Sequence, residues 1–434
     1  MGAAVKNPPQ ALQRGWVLVL LGAFVMGALA FGTWQVTLYQ PEAPRIWQRG
    51  SIRARDGTLM AATLASGQRA YPLGVSAGQV LGYAERSPWG SGLAGVEYWF
   101  DSQLSQGEPV ELTIDPFLQT KAEKALAEAA REHQPLWASA VVLGRQGQVL
   151  ALANYPFFDP AEPRHPDDPK TKNQASQSLF EPGSSLKPLW AAALLEEGLA
   201  GLDSEVNSQS PRIVEGKAIT DATTHPPVLT MAQVLAYSSN VGMSRLLERL
   251  PRERAYHYLG EFGLTQALAL EGAFNETPLV APPSSWNAFD FAALAFGQGL
   301  AITPLQLAAA FASLGDGQYY KPYLLAGGAV DARPVFSSGT SQKIRDSLAA
   351  STAPAAQIAG YSVAGKSGTA QVAGPDGYLP DEFASVYAAV FPAEQPLVTV
   401  AVVIFQPQGS FFGSAVAAPV FRDIALAVLA QAKK

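Results

Sequence analysis

Lys366-Ser367-Gly368-Thr369, near the C-terminus, is the stretch whose reading decides the fold. It lies inside Tyr361 to Val372, which reads as the first of three consecutive antiparallel strands; Ser385 to Phe391 and Val398 to Phe405 are the other two. A helix from Ala415 to Ala430 follows them. Far upstream, Ala140 to Leu143 and Gln148 to Leu152 read as a hairpin joined by Gly144-Arg145-Gln146-Gly147. Ser184 to Phe262 and Phe289 to Leu314 read as mostly helical. Strands at both ends of a domain with helices between them imply an α+β fold with a central antiparallel sheet.

Two upstream motifs turn that strand into a candidate site. The first is Ser184-Ser185-Leu186-Lys187. If Ser184 opens a helix, Lys187 lies one turn later on the same face, and its amine can reach the serine hydroxyl. Pro182-Gly183 break the chain just before it, and Leu186, Trp190, Ala193 and Leu194 follow at helical spacing up to a stop at Gly198. A helix N-terminus carries partial positive charge, which favours the alkoxide formed as the proton leaves. Pro188 cannot donate to the Ser184 carbonyl, which loosens the first turn without ending the helix.

The second motif is Ser238-Ser239-Asn240, between Leu235-Ala236 and Val241, Met243 and Leu246, as at a turn joining two helices. Alone, each motif is ordinary. Ser-x-x-Lys and Ser-x-Asn each occur on the order of once by chance in a chain this long, usually as a helix cap or a polar turn. A second Ser-x-Asn, Ser285-Trp286-Asn287, follows Pro282-Pro283 in a segment that reads as an irregular connection. What raises the set above chance is its order and its flanks.

With Phe180-Glu181-Pro182-Gly183 before the serine, Val363-Ala364-Gly365 before Lys366 and Thr369-Ala370-Gln371 after it, the chain resembles a class B penicillin-binding protein, a peptidoglycan D,D-transpeptidase. Arg49-Gly50-Ser51-Ile52 with Asp56-Gly57 is similar to that family's membrane-proximal signature. Leu112-Thr113-Ile114-Asp115 with Leu118-Gln119 is similar to the start of its catalytic domain. Gly297-Gln298-Gly299 with Thr303-Pro304-Leu305-Gln306 matches a later block. Nearly everything after residue 48 is covered. The chain departs in two places: Ser367 stands where threonine is commoner, and Arg53-Ala54-Arg55 where an acidic residue and arginine are commoner.

The resemblance implies the penicillin-binding transpeptidase fold and a serine-type reaction. Ser184 attacks a stem peptide ending in D-Ala-D-Ala, Lys187 is the base, Ser238 relays the proton and Asn240 holds the substrate backbone. Lys187 must be neutral, which requires desolvation and a nearby cation, for which Lys366 is the candidate. Ser367 and Thr369 bind the terminal carboxylate, the backbone N–H groups of Ser184 and Thr369 form the oxyanion hole, and Gly368 keeps the strand edge clear for substrate. β-Lactams bind the same site. The short segment before the catalytic domain resembles a division-type, FtsI-like protein. A β-lactamase, a β-lactam sensor and an elongation-type enzyme remain rivals on the same fold.

Composition narrows the alternatives. With no cysteine, thiol catalysis and disulfides are excluded, and His133, His165, His225 and His257 lie too far apart for a metal pair or a Ser-His-Asp triad to be expected. No metal and no cofactor are expected. A net charge of -6 offers no basic footprint for nucleic acid. Hydrophobic content of 48% with 15% charged residues argues against disorder.

Trp16 to Leu38 contains no charged residue and would span roughly 35 Å as a helix, enough for one membrane anchor. The competing reading is a cleaved signal peptide ending near Ala28-Leu29-Ala30. The expected organisation is a cytoplasmic tail over 1–15, a transmembrane anchor over 16–38, a small β-rich pedestal over 39–107 and a transpeptidase domain over 108–434. By resemblance, the enzyme is single-pass in the cell membrane with its catalytic domain on the periplasmic side. It lacks a polymerase domain and so implies a multi-pass membrane glycosyltransferase (FtsW/RodA-like) as partner.

Overall fold

Every residue from Val398 to Ile404 is buried, and only Thr399 among them is polar, which suits a strand covered on both faces. The computed structural model describes residues 22–23, 25–26, 48–86, 90–162, 168–374 and 377–432. In it this strand is the middle of a five-stranded antiparallel sheet. The strands are β1 (Trp137–Gly144), β2 (Val149–Tyr155), β3 (Ala364–Gly374), β4 (Gly377–Phe391) and β5 (Val398–Phe405), in the spatial order β3-β4-β5-β1-β2. The pairing of β5 with β1 runs from Val398 opposite Gly144 to Phe405 opposite Trp137, whose rings stack at 4.8 Å. Sequence-distant halves of the chain thus close one sheet.

Alternation along these strands feeds two apolar layers. Ala138, Ala140, Val142, Val400, Val402 and Ile404 face helices α1 (Pro116–His133) and α6 (Gly413–Ala432). Val141, Leu143, Ala401 and Val403 face the other way, toward α2 (Lys187–Glu196) and α5 (Pro304–Asp316). Asp115 caps α1 by accepting from Phe117 N and Leu118 N, with Pro116 in the first turn. Helix α6 is long and apolar enough to cross a membrane, at a mean hydropathy of 1.5, yet 61% of that window is buried inside the protein. It is a core helix.

Helix α2 is the centre of the helical layer. Lys187 to Leu194 are all buried, and the Trp190 indole N–H donates to Leu294 O at 2.8 Å. Gly198, at φ 66, ends the turn beyond it as expected. Helices α3 (Met231–Tyr237) and α4 (Asn240–Leu247) also form where helix was read, but 205–230 departs from expectation. It holds an antiparallel pair, Glu205–Asn207 with Val228–Thr230, and within it a small hairpin, Arg212–Val214 with Lys217–Ile219. Glu215 and Gly216 both take positive φ, 48° and 77°, the two-residue turn that matches strand twist. This local turn chemistry overrides the apolar spacing around it.

Residues 48–112 differ from a purely β-rich unit. Four short strands, Ile52–Arg53, Leu59–Thr63, Arg69–Ala70 and Val110–Glu111, are accompanied by helical turns Gly78–Leu81, Gly95–Trp99 and Asp101–Ser105. Their sheet is completed by Val110–Glu111, which pairs parallel to Ile52–Arg53. Ile52, Met60, Leu81, Val96 and Leu104 join the same apolar cluster as α2 and α5, so this segment shares a core with the catalytic part. Arg53, at the atypical signature, donates to Ser51 Oγ and Gly57 O, both at 3.2 Å, and so is paired within its own turn.

A buried ionic group holds these short elements together. Glu97, 0% exposed, accepts from Arg49 Nε and Arg69 Nε, each at 2.7 Å, and Arg49 Nη1 reaches Asp101 Oδ1 at 2.6 Å. Glu97→Ala leaves two buried guanidinium groups without their shared carboxylate. The expected loss is about 3–5 kcal/mol in urea unfolding, far above that of an exposed glutamate.

The chain divides into two compact units, residues 1–46 and 47–434. In the first, Gly22, Ala23, Val25 and Met26 are helical; the rest of the expected anchor over 16–38 lies outside the described residues.

Candidate active site

The serine motif sits on a turn braced from two sides. Phe180 and Ile302 exchange backbone hydrogen bonds at 3.0 Å, and Gly183 N donates to Gly297 O at 3.1 Å. A Cβ on Gly297 would lie 2.1 Å from Gly183 O, so only glycine allows this approach. Gly183 to Leu186 form one turn of 3-10 helix, and the α-helix begins at Lys187, three residues later than the expected helix start at Ser184. The expected alignment survives this, because a three-residue step in a 3-10 helix is one full turn. The Lys187 N–H donates to Ser184 O at the junction.

The two adjacent serines differ in environment. Ser185 is fully buried and its hydroxyl donates to Pro182 O at 2.7 Å, whereas Ser184 is partly exposed. Lys187 is 0% exposed. Its Nζ donates to Asn240 Oδ1 at 2.7 Å and to the carbonyl oxygen of Ser238, and lies 3.4 Å from Ser238 Oγ. A neutral amine keeps two N–H donors, which the two carbonyl-type oxygens take, and has one lone pair left for a hydroxyl. Burial pushes Lys187 well below its ordinary value and the Lys366 charge pushes it further, while Asp221 opposes both. The expected source of the shift is therefore present.

Ser238 ends α3 at φ 59 in the left-handed region, and Ser239 caps α4 by accepting from Gly242 N at 2.9 Å. This is the turn between helices read from the sequence. The other Ser-x-Asn does structural work: Asn287 caps the helix Ala288–Leu294 through a bond from Asp290 N. One residue that sequence reading missed governs the Ser238–Asn240 turn. Asp221 Oδ1 accepts from Asn240 N and from Val241 N, the latter at 3.1 Å, and Oδ2 accepts from Ser239 Oγ at 2.7 Å. Thr220 O takes the Asn240 amide at 2.9 Å, which turns the amide oxygen toward Lys187. A lone aspartate in a loop carries no sequence signal for this role.

Lys366-Ser367-Gly368-Thr369 lies on β3, the terminal strand of the sheet, with Lys366 opposite Ala388 and Thr369 opposite Ser385 on β4. Lys366 is 7% exposed, donates to Ser367 O at 3.0 Å, and is lowered by burial to about 8. Ser367 and Thr369 are partly exposed on the alternate face. Thr369 Oγ1 accepts from Gly413 N at 3.1 Å, which leaves its own proton to be donated. A correction concerns Gly368. A Cβ there would meet Pro182 O at 2.5 Å and Ser185 N at 3.2 Å. The glycine lets the Ser184 turn seat against β3, so its constraint comes from protein backbone.

Glu181, beside the turn, accepts from Gly299 N at 3.0 Å and from Tyr378 Oη at 2.9 Å, and burial raises it above the ordinary carboxylate range. It ties the 297–299 loop to the β3–β4 hairpin.

A partly exposed serine, a buried lysine one turn on, an oriented Ser-x-Asn and a Lys-Ser-Gly strand edge define a class: active-site-serine acyltransferases of the penicillin-recognising kind. Residues 138–426 match the penicillin binding protein transpeptidase domain, and the chain belongs to that family. It is 31% identical over 398 residues to peptidoglycan D,D-transpeptidase FtsI of Escherichia coli, covering 83% of this chain and 67% of that protein. A probable FtsI of Caulobacter vibrioides is 31% identical over 366 residues, 79% of this chain and 62% of its own length. Among solved structures, apo penicillin-binding protein 3 of Mycobacterium tuberculosis superposes with a TM-score of 0.81 at 31% identity, covering 89% of this chain and 96% of that one. The same protein complexed with ampicillin gives 0.82 at 30% identity, covering 89% and 95%.

Proposed function

We propose that this chain is a division-type peptidoglycan D,D-transpeptidase working through an acyl-enzyme on Ser184. The observation that carries the reading is the position of Ser184: partly exposed on a turn seated against Gly368 and Thr369 of β3, one turn from a buried amine held by Ser238 and Asn240. The FtsI names of the relatives and the β-lactam complexes of the structural neighbour support the substrate class and the division role.

Lys187 takes the Ser184 proton as Oγ bonds to the penultimate D-Ala carbonyl carbon. The oxyanion rests on the N–H groups of Ser184 and Thr369. As the peptide bond breaks, the proton passes through Ser238 to the leaving nitrogen and terminal D-alanine departs. An amine of a second stem peptide then attacks the ester and returns the serine proton. Asn240 positions the stem-peptide backbone, and the hydroxyls of Ser367 and Thr369 bind the terminal carboxylate, with Gly368 permitting the close seat of the turn.

Two cations near one another give this mechanism a pH signature. Acylation by penicillin rises with pH as Lys187 loses its proton and falls above about 8 as Lys366 does. Lys366→Ala removes the cation that helps depress Lys187. Its rising limb therefore moves to higher pH and the fall near 8 disappears, as read from acylation rates across a buffer series. The penicilloyl adduct of the wild type persists for many minutes in intact-mass spectra; rapid turnover of penicillin would instead make the protein a β-lactamase.

The proposed organisation keeps 16–38 as a single membrane anchor, 39–107 as a pedestal and 108–434 as the periplasmic catalytic domain, partnered by an FtsW/RodA-like glycosyltransferase. Replacing residues 16–38 with an unrelated membrane helix leaves penicillin acylation intact and reduces co-purification with the polymerase and septal localisation. Unchanged partner binding with the foreign helix would remove the anchor from that role.

A further inference from the structure

Behind the Ser238–Asn240 turn lies a pair that the mechanism above does not use. The side chains of His225 and Asp221 are 3% and 2% exposed, with His225 Nε2 2.8 Å from Asp221 Oδ2. The other ring nitrogen, Nδ1, is 2.8 Å from the carbonyl oxygen of Pro226. A carbonyl and a carboxylate only accept hydrogen bonds, so satisfying both requires an N–H on each ring nitrogen. That is an imidazolium. The same Asp221 carboxylate takes Asn240 N, Val241 N and Ser239 Oγ, and Asn240 Oδ1 meets Lys187 Nζ. One set of hydrogen bonds therefore runs from His225 through Asp221 and the Ser239–Asn240 turn to Lys187.

The charges along this path matter for the amine. Asp221 favours a proton on Lys187, against the effects of burial and Lys366. A carboxylate is nonetheless the group that can accept three donors from the turn at once. A cation directly behind it keeps those bonds and offsets its field. The titratable and charged groups around His225 are Asp221 on its own loop, Tyr237 of α3, with ring centroids 5.8 Å apart, and Lys187 of α2 beyond Asn240. Burial disfavours the charged ring, but the bonds to Pro226 and Asp221 and the Asp221 charge outweigh it, and His225 is raised above its ordinary value.

We infer that His225 is a positioning residue of the active site: an imidazolium whose charge offsets Asp221, so that the carboxylate orients the Ser239–Asn240 turn without returning a proton to Lys187. The inference rests on the reading of Lys187 as the base.

Two measurements test it. In the wild type, ring ¹⁵N shifts of the four histidines, assigned by replacing His133, His165 and His257 with Gln, report the state of His225 directly. Both ring nitrogens are protonated at pH 7 if the inference holds; a neutral ring at pH 7 overturns it. The second uses His225→Asn, which keeps an N–H donor for Asp221 but carries no charge. Its rising limb of penicillin acylation moves up by about one pH unit, so the rate well below the limb falls about tenfold while the high-pH limit is kept. A folded variant whose limb stays in place, even with the whole profile lowered, reduces His225 to a structural residue and overturns the inference. If the variant does not fold, the ¹⁵N result decides alone. In either failure Ser184 still takes the label, whereas loss of labelling at Ser184 in the wild type would remove the transpeptidase reading itself.

Discussion

Ser184→Ala abolishes covalent labelling by penicillin, with intact mass unchanged after prolonged incubation and acylation reduced by at least about 10⁴-fold. The reason lies in the contrast between neighbouring hydroxyls. Ser184 is partly exposed on the turn beside β3, whereas Ser185 is buried and already bonded to Pro182 O, and so cannot substitute for it. The variant should melt at nearly the wild-type temperature, because no side-chain hydrogen bond from Ser184 to any described residue is lost. Peptide mapping of the labelled wild type should place the adduct on Ser184; an adduct on any other serine would end the assignment.

Lys187→Ala lowers acylation by about 10²–10⁴-fold while the protein still folds. Among the described residues, the amine is the titratable group bonded to both Ser238 and Asn240. Its loss removes the base and leaves Asn240 Oδ1 and Ser238 O without their donor. These acceptors are half-buried, so leaving them unpaired costs at most about 1 kcal/mol each, partly offset because a desolvated amine no longer has to be buried. A melting temperature close to that of the wild type with slow acylation supports the base role. Acylation at the wild-type rate would remove it.

Much of the site was legible because its parts are short and local. Ser184 and Lys187 declare their relation by spacing alone, and Ser238–Asn240 is framed by apolar residues that end one helix and start the next. Short apolar runs bounded by turn residues announced all five central strands. Asp221 was invisible for the opposite reason: it lies 19 positions before Asn240 in a loop between a small hairpin and α3, and its three partners in the Ser239–Val241 turn are backbone and hydroxyl donors brought to it by folding. The role of Gly368 was misread for a similar reason, since the obstacle that excludes a Cβ there is the backbone of Pro182 and Ser185, nearly two hundred residues away.

The sequence by itself determined the family, through the order of its motifs, and the candidate groups: a serine, a lysine one turn on and a strand motif. Those are properties of residue type and short spacing, and they hold before any tertiary contact exists. Only the tertiary structure decided the electrostatic setting of that lysine. Lys187 is sealed from water in α2, with Lys366 near, Asp221 holding the Asn240 backbone and Thr220 O turning the Asn240 amide oxygen toward it. Desolvation and the field of distant charges are set by what packs around a group, and no local pattern in the chain encodes them.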